Sequence, residues 1–384
     1  MTNPEQPIYL DYNATTPVAP EVLEAMLPYL REEFGNPSST HPYGRRARQA
    51  VERAREQVAA LLGASPEEIF FTSGGTEANN LAIRGVAEAR PNQRHLITST
   101  IEHPATALPC SYLERQGWEV SWVSVDAEGR MRWEEALAAL RGDTALVTLI
   151  HANNETGVLQ PVKEVARKAR AAGAVVHTDA AQSVGKVPVD VVELEVDLLT
   201  VVGHKLYAPK GVGALYVRRG TPLKPFALGG GQEHGRRPGT ENVPYLVGLG
   251  AACELARQRL TRGPTALVEL RERLWWRLQA EVPGMRLTGH PTERLPNTLN
   301  VRFPGVLGSA VLAGAPEVAA STGSACHEGG ETASAILLAM GLPPEDALGA
   351  VRLTLGHGTT AEDVDTAAAA LARAWRGVAR GERG

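Results

Sequence analysis

Short β-rich runs alternate with helical patterns from about Glu68 to Val217, and this alternation limits the possible folds more than any other feature of the sequence. Strands and helices that alternate along a chain form a mostly parallel sheet with helices on both faces. The apolar or β-branched runs are residues 69–72, 95–98, 120–123, 145–150, 174–177, 198–202 and 212–217. The sequence therefore predicts an α/β fold in which a ligand lies beyond the carboxyl ends of the strands.

The character of the chain changes after about Gly250. The later part contains an amphipathic helical pattern over 267–282, a strand pattern over 297–303 and an Ala-rich helical pattern over 361–376. Gly and Pro residues at 263–264 and 341–344 are typical of joints between such elements. We therefore expect a large domain over residues 15–255, and a smaller α/β domain formed by residues 1–14 and 256–384.

Charge and composition exclude several classes of protein. The 384 residues carry 39 basic and 43 acidic side chains, and this balance gives no reason to expect nucleic acid or an anionic membrane as a partner. No run approaches the about 20 apolar residues of a membrane span, and the polar N-terminus lacks the layout of a secretory signal. Three scattered cysteines, Cys110, Cys253 and Cys326, do not form a disulfide framework. We expect a cytoplasmic protein, and no metal site is predicted.

Three polar groups follow strands of the predicted sheet. The segment 72–77 (TSGGTE) joins a strand to a helix, where free backbone N–H groups bind phosphate, although many such turns are only tight connections. Asp179 ends another run, either as a charged group in the crevice or as a helix N-cap. Lys205 follows the next run, and it is either a Schiff-base lysine or a solvated loop residue.

Together, the segment 72–77, Asp179 and Lys205 indicate one cofactor, which none of them indicates alone. Pyridoxal 5'-phosphate needs a lysine to hold its aldehyde as an imine, an acid beside its pyridinium nitrogen and a helix terminus for its phosphate. Lys205, Asp179 and the segment 72–77 supply these three parts in one predicted crevice. The combination predicts a pyridoxal-phosphate enzyme.

The chain resembles the cysteine desulfurases of the NifS/IscS type, which are fold-type-I pyridoxal-phosphate enzymes of aminotransferase class V. The matching motifs run through nearly the whole sequence. They are YLDYNATT (9–16), GNPSS (35–39), TSGGTE (72–77), EHP (102–104), HANNETG (151–157), HTDAAQ (177–182), GHK (203–205), GRRPGT (235–240), STGSAC (321–326) and VRL (351–353). The resemblance implies a seven-stranded, mostly parallel sheet flanked by helices and a smaller α/β domain.

The resemblance also implies a role for each matched residue. Lys205 would hold the cofactor's aldehyde, His103 would stack on its ring, Asp179 would pair with the ring nitrogen and Gln182 would contact the phenolic oxygen. The phosphate would be bound by Gly75, Thr76 and His204, and by Thr240 of the neighbouring subunit of a homodimer. The substrate would be held by Asn13, Asn154 and Arg352, with Asn154 also at the cofactor.

Cys326 would be the nucleophile by the same resemblance. As a thiolate it would take the sulfur of L-cysteine as a persulfide, L-alanine would leave, and His103 would move protons. The sulfur would then serve iron–sulfur cluster or other thio-cofactor biosynthesis through an acceptor or scaffold protein. The polar, Gly-rich sequence around Cys326 suits a nucleophile better than a buried hydrophobic residue. Cys110 and Cys253 fit the role of buried hydrophobic residues.

The sequence departs from the family pattern at three places. Val202 stands where many relatives have a phosphate-binding Ser, and His357 stands where they often have Arg. The tripeptide 325–327 (ACH) resembles selenocysteine lyases, so L-selenocysteine is an alternative substrate. The sequence also leaves open a different fold-type-I enzyme, such as an aminotransferase or aldolase, and a sulfur-relay scaffold without a cofactor.

Overall fold

The computed structural model describes residues 6–263, 265–323, 325–327 and 330–381, and for residues 325–327 and 330–331 it describes the backbone alone. The helices are α1 (Pro20–Arg31), α2 (Pro42–Leu62), α3 (Gly75–Ala89), α4 (Pro104–Arg115), α5 (Trp133–Ala138), α6 (Val162–Ala171), α7 (Val243–Thr261), α8 (Thr265–Glu281), α9 (Gly308–Ala313), α10 (Ala335–Ala339), α11 (Pro344–Leu348) and α12 (Ala361–Ala379). The strands are β1 (Ile8–Tyr9), β2 (Ile69–Thr72), β3 (His95–Ser99), β4 (Glu119–Val123), β5 (Thr144–Ile150), β6 (Val175–Asp179), β7 (Leu198–Val202), β8 (Gly213–Val217), β9 (Arg286–Thr288), β10 (Thr298–Arg302), β11 (Val318–Ala319), β12 (Ala325–His327), β13 (Gly330–Thr332) and β14 (Ala350–Thr354).

The large sheet has seven strands in the order β2-β8-β7-β6-β5-β3-β4. All neighbouring pairs are parallel except those of β8, which runs antiparallel to both β2 and β7. The register places Ile150 beside Asp179 and Asp179 beside Thr200. The carboxyl ends of β5, β6 and β7 therefore meet at one edge, and the predicted α/β architecture is confirmed.

The sheet separates two apolar clusters because successive side chains of a strand point to opposite faces. Ile97 of β3 and Val147 of β5 face the cluster that contains α1, α2, α6 and α7. Leu96 and Leu146, one residue earlier in the same strands, face the cluster that contains α3 and α4. Every residue of β5 is buried, as expected for a central strand covered on both faces.

Cys110 and Cys253 lie in these clusters and carry free thiols. Both side chains are fully buried, and burial raises the pKa of the Cys253 thiol to about 12. They are small core residues, as predicted.

A second, antiparallel sheet has the order β14-β10-β9. It has a separate core with α8, α9 and α12, to which Leu10 of the N-terminal segment also contributes. β1 joins this unit by pairing in parallel with β11. α10 and α11 do not join this core, because Ile336, Leu337 and Ala347 pack in the cluster of the large sheet. The division into residues 15–255 and the remainder therefore stays a prediction.

Cys326 lies in β12, which pairs antiparallel with β13, and it is in register with Glu331. The Cys326 side chain lies outside the described part of the structure. Among the described residues, no helix has the length and apolar character needed to cross a bilayer.

Candidate active site

A cavity of about 320 Å³ lies at the carboxyl ends of β5, β6 and β7. It brings together all but two of the residues predicted for the site: Asn13, Gly75, Thr76, His103, Asn154, Asp179, Gln182, His204, Lys205 and Arg352. The exceptions are Cys326, whose side chain is not described, and Thr240, which is exposed and does not line the cavity of its own chain.

Asp179 ends β6 and is 4% exposed. Its Oδ2 accepts a hydrogen bond of 2.7 Å from Nδ2 of Asn79, and its Oδ1 accepts one of 3.0 Å from the backbone N–H of Ala181. A turn follows it rather than a helix, so it is not a helix N-cap. A buried carboxylate at a cavity wall requires a cationic partner.

Lys205 lies in a helical turn directly after β7, and its amine faces the cavity. Nζ donates to the carbonyl oxygens of Asn13 at 2.6 Å and Ala14 at 2.5 Å. Burial and then the Arg352 charge lower the pKa of Lys205 to about 8, although Asp11 and Asp179 oppose the shift. A lysine that is partly neutral near physiological pH is a competent nucleophile for an aldehyde.

His103 caps α4 at the cavity wall. Its Nδ1 accepts a hydrogen bond of 3.1 Å from the backbone N–H of Ala105, so the neutral ring carries its proton on Nε2. Burial lowers the pKa of His103, with Asp179 opposing and Lys205 adding to the shift. The ring is therefore neutral at physiological pH, and it can stack on an aromatic ligand and hold a proton at Nε2.

The start of α3 forms another wall, because Gly75 and Thr76 are its first two residues. A 15-residue helix directs its first backbone N–H groups at the cavity, where they favour an anion. Gly75 is needed for close packing, since an added Cβ would lie 2.6 Å from Cγ2 of Val202. His204 lies beside this wall, and burial followed by the Lys205 charge lowers its pKa to about 4.

Arg352 reaches the opposite end of the cavity from β14. Its Nη1 donates to the backbone oxygen of Asn154 at 3.1 Å. Nε of Arg352 and Oδ1 of Asn154 are buried, and neither has a hydrogen-bond partner among the described residues. A buried donor and a buried acceptor at one cavity wall indicate a place for a polar ligand.

The sequence analysis did not predict Lys186, which holds two of the residues that line the cavity. Its Nζ donates to Oε1 of Gln182 at 2.7 Å and to Oδ1 of Asn13 at 2.9 Å. Because Oε1 of Gln182 is engaged, its Nε2 is turned to the backbone oxygen of Asn13 at 2.9 Å. Nδ2 of Asn13 donates to Thr298, so the contacts of Asn13 are structural, and its role toward substrate stays a prediction.

The donor set fits pyridoxal phosphate. Asp179 offers a buried carboxylate for the ring nitrogen, Lys205 an activated amine for the aldehyde, His103 a flat ring, and α3 its N-terminus for the phosphate. The fold and this set of residues together define a fold-type-I pyridoxal-phosphate enzyme.

Comparison with known proteins places the chain more narrowly. The sequence profile of the family described as aminotransferase class V matches residues 8–366. A cysteine desulfurase of Trichormus azollae is 48% identical over 360 residues, covering 93% of this chain and 90% of that protein. The cysteine desulfurase IscS of Dictyoglomus turgidum is 46% identical over 361 residues, covering 93% and 92%. A solved structure of a NifS-like protein has a TM-score of 0.90 at 39% identity, covering 96% of this chain and 99% of that one.

The chain therefore belongs to the class-V aminotransferase family, among the cysteine desulfurases of the NifS/IscS type. The resemblance inferred from the sequence motifs is confirmed.

Proposed function

We propose that this protein is a pyridoxal-phosphate-dependent cysteine desulfurase, which converts L-cysteine to L-alanine and places the sulfur on Cys326 as a persulfide. The main support is a single cavity that holds an activated lysine, a buried acid and a partly unpaired arginine, in a chain whose relatives carry this activity in their names. Pyridoxal phosphate, when bound, supplies the electron sink for negative charge that develops at the substrate's α-carbon.

Arg352 and Asn154 bind and orient the substrate. The guanidinium takes the α-carboxylate through charge-assisted hydrogen bonds. Oδ1 of Asn154, a buried acceptor without a partner in the described part of the chain, is available to the protonated groups of the ligand. This arrangement fixes the α-carbon next to the Lys205 amine, which takes the α-proton as a general base.

Asp179 and His103 supply the charge and the proton for the reaction. The Asp179 carboxylate, held by Asn79 and the Ala181 N–H, keeps a positive charge on the cofactor's nitrogen. Since Nδ1 of His103 is occupied by a backbone N–H, Nε2 is the atom that donates or accepts a proton in the cavity.

Cys326 acts as a thiolate on the sulfur of the substrate. A sulfur–sulfur bond forms, and the carbon–sulfur bond breaks with its electron pair remaining on the β-carbon. That carbon takes a proton and the α-carbon regains the proton that Lys205 removed, so the products are L-alanine and a persulfide on Cys326.

A homodimer is part of this proposal. Thr240 is exposed and does not line its own chain's cavity, so its phosphate contact requires a second copy. Exposed apolar side chains lie close to the cavity or on the segment that leads to Thr240, including Leu108 at 65% and Leu228 at 91% exposure. Large apolar side chains exposed to this extent are typical of a protein interface.

We further propose that the persulfide sulfur passes to an acceptor or scaffold protein for iron–sulfur cluster or other thio-cofactor synthesis. The cytoplasm is the proposed location, because its reducing environment preserves thiols. The two cysteines whose side chains are described are both free.

Selenocysteine lyase activity is the second candidate, favoured by the tripeptide 325–327 (ACH). The two activities differ in their need for the protein thiol, since a desulfurase must accept sulfur on Cys326. Rates of alanine formation from L-cysteine and from L-selenocysteine, measured in the parent protein and in Cys326→Ser, distinguish them. A parent protein that forms alanine readily from L-selenocysteine but not from L-cysteine identifies the lyase.

Cys326→Ser also tests the proposed function. We expect alanine formation from L-cysteine to fall at least about a hundredfold, because the hydroxyl is not a nucleophile toward sulfur at neutral pH. Mass spectrometry of the parent protein should find the persulfide on Cys326. Cys253→Ala, at a fully buried cysteine, is the control and should retain the activity. Undiminished alanine formation by Cys326→Ser would reject the desulfurase mechanism.

A further inference from the structure

The carboxylate of Asp11 joins two segments that are far apart in the sequence. Its Oδ1 lies 2.7 Å from Nη2 of Arg352, and its Oδ2 accepts a hydrogen bond of 2.9 Å from the Ser321 hydroxyl. The side chains of Arg352 and Asp11 are only 11% and 17% exposed, so solvent screens this ion pair less than a surface pair. One carboxylate therefore holds both the proposed substrate arginine and a residue just upstream of Cys326.

The backbone reinforces this junction. Ser321 and Arg352 exchange two backbone hydrogen bonds, of 2.7 and 3.4 Å. Asp11 follows β1, which pairs with β11, the strand that precedes Ser321. The N-terminal end of the segment that contains Cys326 is thus attached directly to the strand that carries Arg352.

The other end of that segment is attached in a similar way. The Ser334 hydroxyl donates to Oε2 of Glu155 at 2.6 Å, and Glu155 directly follows Asn154 in the chain. Gly323 also lies against this carboxylate, since an added Cβ would be 2.2 Å from Oε2. Both ends of the segment are therefore held by residues that adjoin the proposed substrate ligands.

We propose that Asp11 is a positioning residue that couples the placement of Arg352 to the anchorage of the segment carrying Cys326. This inference rests on the proposed function, which assigns the substrate carboxylate to Arg352 and the sulfur to Cys326. Asp11 holds Nη2 of Arg352 in place, so the guanidinium meets the substrate carboxylate already oriented. A substrate bound to this guanidinium restricts Arg352, and through Asp11 it also restricts the Ser321 hydroxyl. Amino-acid binding then tightens the end of the segment.

Two variants separate the two contacts. Asp11→Asn removes the charge but keeps the shape, and Ser321→Ala removes only the hydroxyl. The probe is L-alanine added to the protein loaded with pyridoxal phosphate. The measurements are its dissociation constant, from the cofactor's absorption, and the hydrogen exchange of the backbone over residues 318–327.

We expect L-alanine to slow this exchange in the parent protein. Asp11→Asn should weaken L-alanine binding about tenfold and speed the exchange about tenfold, the effect of losing a hydrogen bond to a charged group. Ser321→Ala should speed the exchange similarly and, because coupling is reciprocal, should weaken L-alanine binding only by the factor by which L-alanine slows the exchange in the parent. In both variants the response of the exchange to L-alanine should disappear.

Asp346→Asn is the matched control, because Asp346 pairs with Arg302 on β10 and does not line the cavity. It should change neither measurement.

Tighter L-alanine binding by Asp11→Asn would mean that Asp11 only competes with substrate, and unchanged exchange in Ser321→Ala would mean that the hydroxyl anchors nothing. Either result would overturn the inference. If Asp11→Asn does not fold, Ser321→Ala still tests the coupling. Neither measurement depends on cysteine turnover. If the protein makes no alanine from cysteine, the proposed function is rejected, but the inference about Asp11 is not.

Discussion

The reactivity of Lys205 depends on its surroundings more than on its place in the sequence. Burial and the neighbouring Arg352 lower its pKa to about 8, while Asp11 and Asp179 raise it. Below that pH the amine is protonated and cannot attack an aldehyde, and above it the amine is free. The rate at which the cofactor-free protein takes up pyridoxal phosphate should therefore rise with pH, reach half of its maximum near pH 8 and level off above that.

Arg352 provides a matched pair of variants for this prediction. Arg352→Gln removes a positive charge and should shift the midpoint of the pH profile upward, whereas Arg352→Lys keeps the charge and should leave the midpoint near that of the parent. The uptake is followed by the absorbance of the bound cofactor in stopped flow. A parent midpoint near the ordinary lysine value of about 10.5 would contradict the assigned environment.

The sequence predicted the residues that act at strand ends and did not predict those that act through tertiary contacts. Asp179 and Lys205 were found because parallel strands bring their carboxyl ends together. Asn79, which holds Asp179, is 100 residues away in the chain, and Lys186 is indistinguishable from a surface lysine until the fold encloses it. Asp11 lies in a motif that matched the family, but its partner Arg352 is 341 residues away.

Among the secondary-structure elements, the contact between α3 and β7 determines how closely a ligand can approach. Gly75→Ala would place a methyl group 2.6 Å from Cγ2 of Val202, which forces the start of α3 away from β7. Overpacking of this kind costs about 1–3 kcal/mol, and here it should weaken pyridoxal-phosphate binding about tenfold or more. Equilibrium titration of the cofactor measures the effect.

Val202→Ala in the same chain removes the obstructing methyl group and should restore most of the lost affinity of Gly75→Ala. Val202→Ala alone is the control for the cavity that the truncation creates. If the double variant binds no better than Gly75→Ala, the weaker binding does not come from this contact.

Strands and helices with a strong local pattern were predicted well, and those defined by long-range pairing were not. Each predicted strand of the large sheet is present, but β6 continues through Thr178 and Asp179, two polar residues that ended the pattern. Thr178 can be buried in the strand, since its hydroxyl is satisfied by donating to the backbone oxygen of Leu149 at 2.9 Å. Hydrophobic periodicity also contains no information on strand direction, so the antiparallel orientation of β8 was not foreseen.

At the scale of the whole molecule, the proposed homodimer would complete each active site with Thr240 from the second copy. Lys205 and Arg352 line the cavity of their own chain, whereas Thr240 is exposed outside it. Thr240→Glu would place a carboxylate against the phosphate of the neighbouring cofactor and prevent binding by charge repulsion. Lys205→Ala removes the amine, so each variant by itself should be inactive.

Mixed dimers of these two variants provide the decisive measurement. In such a dimer the Thr240→Glu chain contributes an intact Lys205, and the Lys205→Ala chain contributes an intact Thr240 to that same site. Because half of randomly mixed dimers are of this kind and each has one complete site, the mixture should recover about a quarter of the parent's alanine formation. Lys205→Ala mixed with Arg352→Gln is the control, and it should recover nothing, since both residues belong to one chain's cavity. Absence of recovery in the first mixture would show that Thr240 does not act across an interface, and the proposed dimeric site would then be wrong.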